Sequence, residues 1–199
     1  MGAFGGLALA AASGWNTFLP LLLIALGDRV AGDLLDRPYT AISSLGGILT
    51  ILTLLTIEIV VDKIPRADLV NDILGSALRP AMAALCCMAL ASTDDSLHPV
   101  LALSAGLIIG GAMHWWRSGW RRVVEVESRG IGTPLVSMVE DAMSGLTAIA
   151  ALLYGPAGLA TAVIAWLVIR WSYGWGRRFG ARRTTDSHHV PDHVRSTRP

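Results

Sequence analysis

Cysteine is nearly absent: the 199 residues hold two, Cys86 and Cys87, adjacent within an apolar run. Neighbours on a helix cannot meet disulfide geometry, and two adjacent thiols exclude a spaced thiolate metal motif. They count as small buried hydrophobes. Lysine is scarcer still, since fifteen of the sixteen basic residues are arginine and the one lysine is Lys63. Charge of any kind is thin at 16%, against roughly a quarter in an ordinary soluble domain. The formal net charge of +1 excludes the broad basic field that holds nucleic acid. The first 27 residues carry no charge, so they lack the basic start of a secretory signal and read as a retained membrane helix.

What the chain does hold is apolar. Hydrophobic residues make up 53%, there are 21 glycines, and the mean hydropathy is +0.53. Long uncharged runs rich in glycine point to an all-α membrane protein. The runs predict six transmembrane helices. The first spans residues 1–27, with Trp15, Asn16 and Pro20 in or near its middle. A polar connection from Asp28 to Arg37 precedes the second, over 38–57 and on to Lys63, where Pro65 stops it. The uncharged run of the third, Pro80–Thr93, covers roughly 21 Å of a core roughly 30 Å thick, so the helix draws in residues before Pro80, Arg79 first. The fourth runs from Ser96 to Trp116, and its Gly106 and Gly110 permit close helix approach. A polar segment, Arg117–Thr133, follows.

Gly155-Pro156 divides the last uncharged stretch into two helices. The fifth is too short unless it begins near Leu135, which pulls Glu140 and Asp141 below the membrane surface. The sixth runs to about Trp171. Residues 1–175 thus form the transmembrane domain, and 176–199, with six arginines and three histidines, read as a disordered basic tail. With both ends cytoplasmic, fourteen basic residues fall inside and two outside, which is the positive-inside pattern. Three helices followed by three that start from the opposite side also fit an inverted repeat.

In this topology three helices deliver charge to one cytoplasmic level. Glu58 and Asp62 share a face of the second helix at i, i+4. His114, Arg117 and Arg121 share one of the fourth, and Ser137, Glu140, Asp141 and Ser144 lie on one side of the fifth. Ionisable groups at such depth usually mark a working site. The expected substrate- or ion-binding set is Asn16, Glu58, Asp62, Lys63, Arg79, His114, Arg117, Ser137, Glu140 and Asp141. Asp62, Lys63, Arg121 and Arg122 are also shallow enough to snorkel to the interface. Asn16 and Pro20 could break the first helix and open its backbone groups to a cavity.

Ser13-Gly14-Trp15-Asn16 with Pro20 and the Glu58-x3-Asp62-Lys63-Ile64-Pro65 block are two distinctive stretches. With Arg79-Pro80, Gly110-Gly111 with His114, and Ser137-x2-Glu140-Asp141, the chain resembles a bacterial membrane-protein family, domain of unknown function four-one-two-six. The resemblance covers roughly residues 5–170 and implies a small polytopic protein of the bacterial inner membrane. It brings no agreed activity.

The residues therefore favour a small transporter or exchanger that handles a cation or small charged solute. The paired acids could bind a cation or proton, and no cofactor is expected. An enzyme acting on a lipid head group is a second class, disfavoured because the chain has no nucleophile elbow, His-rich metal motif or phosphate loop. A non-catalytic membrane scaffold, its charges acting as interhelical glue, is a third. The expected partners are the lipid bilayer and a small ion or solute, with no nucleic acid; a homo-oligomer is left open.

Overall fold

A computed structural model describes residues 2–32, 34–62, 68–94, 97–128 and 132–186. The described residues form seven α-helices and no strand. They are α1 (Gly2–Trp15), α2 (Leu19–Ala31), α3 (Leu45–Val61), α4 (Asp68–Ala91), α5 (Pro99–Ser128), α6 (Thr133–Leu153) and α7 (Gly155–Asp186). Ile73–Ala91, Pro99–Val126 and Pro134–Leu153 are long and apolar enough to cross a membrane, and Leu45–Val61 and Gly155–Trp171 are shorter apolar helices.

The helix at the centre is made of small residues. All of α1 except Ala3, Phe4 and Leu7 is buried, against α4, α5 and α6. Glycine makes this approach possible. A Cβ on Gly6 would stand 2.9 Å from the Cys87 carbonyl of α4, and one on Gly14 would overlap Met113 of α5. The Gly106–Gly110 pair acts as its spacing predicts: a Cβ at either would overlap Ala84 or Ala83 of α4. Side chains too small to separate the backbones let dispersion contacts hold the helices where lipid supplies no hydrophobic drive.

The opposite composition lies outside. In α3 only Ile51, Leu55 and Glu58 are buried, while Leu49, Leu52, Ile57 and Val60 are exposed, as are Leu107 and Ile108 of α5 and Leu146, Ile149 and Leu153 of α6. Such apolar faces are out of place in water and are what a helical protein presents to lipid.

Boundaries differ from the sequence expectation in four places, one of them the last helix, which runs past Trp171 to Asp186, so that residues 176–186, expected in a disordered tail, are helical. The first span is interrupted at residues 16–18. The second helix starts at Leu45 rather than near Pro38, because Ser44 caps it by accepting from the Gly47 amide at 3.0 Å. The polar segment after Trp116 is helical to Ser128, since Arg117 and Arg121 turn inward and find partners there. The fifth helix begins at Thr133, with Pro134 in its first turn, as its length required.

The described chain divides into two units, Met1–Ala165 and Trp166–Pro199. The second carries the rest of α7, where the Arg170 guanidinium stands 5.5 Å over the Trp166 ring. Residues 187–199 of the basic tail lie outside the described residues.

Candidate functional site

Proline explains the interruption. Pro20 has no amide hydrogen to return to Asn16, and its ring crowds that turn. The Asn16 side chain completes the break: Oδ1 accepts from the Phe18 and Leu19 amides at 3.2 and 2.9 Å, capping α2. Asn16 Nδ2 donates to Asp141 Oδ1 of α6 at 2.8 Å.

An interrupted helix leaves carbonyls at one end and amides at the other without partners, and in an apolar setting each costs free energy. Here opposite charges serve them. Arg79 Nη1 of α4 donates to the Gly14 and Trp15 carbonyls at 3.2 and 2.6 Å. The Thr17 amide donates to both Glu58 oxygens, at 3.1 and 3.0 Å, and the Thr17 hydroxyl to Oε1 at 2.6 Å. Arg79 Nη2 closes the circuit on Glu58 Oε1 at 2.9 Å. The cation thus sits at the negative end of α1 and the carboxylate at the positive end of α2, as helix dipoles favour. Ser144 of α6 adds a second donor to the Ala12 carbonyl, at 2.9 Å, beside the Asn16 amide.

One turn along α3, Asp62 enters a second cluster. Arg117 and Arg121, four apart on α5, both reach Asp62 Oδ2, at 2.6 and 3.1 Å. Both also reach Glu140 Oε2 of α6: Arg117 Nε at 2.9 Å and Arg121 Nη2 at 2.8 Å. Two guanidiniums therefore share two carboxylate oxygens from different helices. Asp62, Arg117, Arg121 and Glu140 are each less than 5% exposed, so Asp62 and Arg121 do not snorkel.

The other expected residues join at the edges. His114 is buried, and its Cε1 would lie 3.3 Å from a Cβ placed on Gly75, whose bareness also admits the Arg79 side chain. Ser137 is fully buried, and neither its Oγ nor Glu140 Oε1 has a hydrogen-bond partner among the described residues. Asp141 is half-buried beside Asn16. Lys63 lies outside the described residues, as do His188, His189 and His193. Exposed Arg122 turns back to the Ser118 carbonyl at 3.1 Å. Among the described residues no three His, Cys, Asp or Glu side chains converge as a metal site would require.

Sequence reasoning missed Thr17 and undervalued Arg121. The signal for Arg121 was present, as it lies on the face of His114 and Arg117. Its depth had left the interface open as an alternative.

The class of protein is now defined: an all-helical chain with membrane-length apolar helices and a buried charge network around an interrupted helix. The model for the family described as domain of unknown function (DUF4126) matches residues 3–174, and the chain belongs to that family. No curated protein and no solved structure matches the chain.

Proposed function

We propose that this chain is a small multi-pass transporter or exchanger of the bacterial inner membrane, handling a small charged solute. Six spans are assigned by counting α1 with α2 as one interrupted span, followed by α3, α4, α5, α6 and α7. The arginine asymmetry of the sequence supports a cytoplasmic side for both termini, and with them for the charge network. The observation that carries the proposal is the interruption at residues 16–18, held by Glu58 and Arg79. Discontinuous helices build ion and substrate sites in many transporters, because their free ends offer backbone partners of both signs at membrane depth.

A three-plus-three inverted repeat would place a matching break in α5, which is continuous from Pro99 to Ser128. Transport by this chain is therefore proposed without that symmetry.

The expected experiment is flux in liposomes, comparing wild type with Glu58→Gln and Glu140→Gln. Both variants should lose flux while remaining inserted and monodisperse. Unchanged flux in both would sink the site assignment. One observation favours the scaffold reading instead: the ion pairs in the network are internal, each charge meeting an opposite one from another element. A scaffold predicts that the same substitutions lower folded yield, with no solute moved by the wild type.

A further inference from the structure

Arg117 and Arg121 both present planar donor forks to one oxygen of Asp62 and one of Glu140, and Arg121 also reaches the second Asp62 oxygen at 3.4 Å. Paired guanidiniums are the usual protein answer to a planar or tetrahedral oxyanion. Here protein carboxylates occupy the positions that two oxygens of such an anion would take. A second observation points to an exchangeable occupant. Ser137 stands one turn before Glu140 on the same buried face of α6, and its hydroxyl, fully enclosed, has no acceptor among the described residues. Glu140 Oε1 likewise has no donor there. Buried polar groups are nearly always paired; one of these two belongs to the carboxylate that the guanidiniums hold, and the other lies one turn before it on α6.

We infer that the Arg117–Arg121 pair is the binding site for a small oxyanion, carboxylate or phosphate in type, for which the Glu140 carboxylate is the internal competitor. This names the substrate class and rests on the transport reading of the same site. The entering anion takes the arginine donors from Glu140 Oε2 and accepts from the Ser137 hydroxyl. The buried network is neutral as it stands, with Arg79, Arg117 and Arg121 against Glu58, Asp62 and Glu140. An anion therefore enters with one proton, which the displaced Glu140 carboxylate receives. The charged groups around this exchange are Asp62 and Glu58 from the α3 side, Arg79 from α4, and Arg117 and Arg121 from α5, with His114 one turn before Arg117 and Asp141 next to Glu140 in the chain.

The test is calorimetric titration of formate into the full chain in phosphatidylcholine nanodiscs, since formate keeps its charge across neutral pH. Wild type should bind formate more weakly as pH rises. Glu140→Gln, which removes the competitor, should bind about tenfold tighter and lose that pH dependence. Ser137→Ala should weaken binding by about three- to tenfold at unchanged folded yield, and it keeps the test open if Glu140→Gln fails to fold. No binding by wild type, a Glu140→Gln variant no tighter than wild type, or a Ser137→Ala variant that binds as wild type would each overturn the inference. Phosphatidic acid added to the nanodiscs separates the sources. Competition with formate assigns the oxyanion to a lipid head group, and none assigns it to a soluble anion. Formate binding with no flux of any solute keeps the inference and overturns transport, whereas cation flux without formate binding does the reverse.

Discussion

The Glu58–Arg79 pair allows a double-substitution cycle whose size follows from the structure. Glu58→Gln keeps an acceptor for the Thr17 amide but leaves Arg79, which is 0% exposed, without its counter-ion. Removing one partner of a buried pair costs about 3–5 kcal/mol. Arg79→Met strips the Gly14 and Trp15 carbonyls of their donor and leaves the Glu58 charge to Thr17 alone, which again costs about 3–5 kcal/mol. In the double variant no charge is stranded, and the loss falls mainly on two carbonyls at about 1–3 kcal/mol each. At the middle of these ranges the single effects sum to about 8 kcal/mol and the double costs about 4 kcal/mol, a coupling of about 4 kcal/mol, at or above the upper end for residues in contact. Equilibrium unfolding in mixed detergent micelles, followed by tryptophan fluorescence, measures this, and Trp15 lies beside the break. Additivity within about 0.5 kcal/mol would show that the two side chains do not act as a pair.

Asn16→Ala removes the cap of α2 and should destabilise by about 1–2 kcal/mol, with faster hydrogen exchange at the Phe18 and Leu19 amides as the local readout. Gly110→Val forces side-chain atoms into Ala83 and the α4 backbone and should abolish monodisperse protein in detergent chromatography. Gly46→Ala, which meets nothing within 4 Å, should elute as wild type.

Much of this site could be seen in the sequence because the bilayer imposes a length. Thirteen uncharged residues after Asp141 are too few to span a bilayer, so the helix was expected to begin near Leu135, and α6 does begin at Thr133. The same reasoning brought Arg79 into α4. Asn16 with Pro20 marked the break, since one removes a backbone donor and the other supplies a substitute acceptor. What could not be seen was pairing. Nothing in one dimension says that Glu58 would meet the Thr17 amide forty-one residues away, or that Arg79 would reach α1 rather than Asp62. Nor could run length reveal that α5 continues through Arg117–Ser128, because charged residues end a hydrophobic run without ending a helix. Arg121 is the clearest case: depth allowed it the interface, whereas helical phase with Arg117 pointed it inward, and it is buried.

The two halves of the network carry different weight, and the backbone decides how. Glu58 and Arg79 serve amide and carbonyl groups that no substitution can remove, so their burial compensates the break at residues 16–18. Replacing both by leucine should stay costly, because the Thr17 amide and two carbonyls would remain orphaned. Asp62, Arg117, Arg121 and Glu140 differ. They bond one another from three different elements, and the break at residues 16–18 does not depend on them. Buried ion pairs of that kind can be exchanged for apolar side chains at little loss, and sometimes with a gain of about 1–4 kcal/mol. Stability alone therefore gives no reason for four charged groups at this level. A stable fold that lacks transport after all four become apolar would place the function in this cluster, with Glu58 and Arg79 as the frame that holds it. Collapse of the fold would instead make the cluster glue.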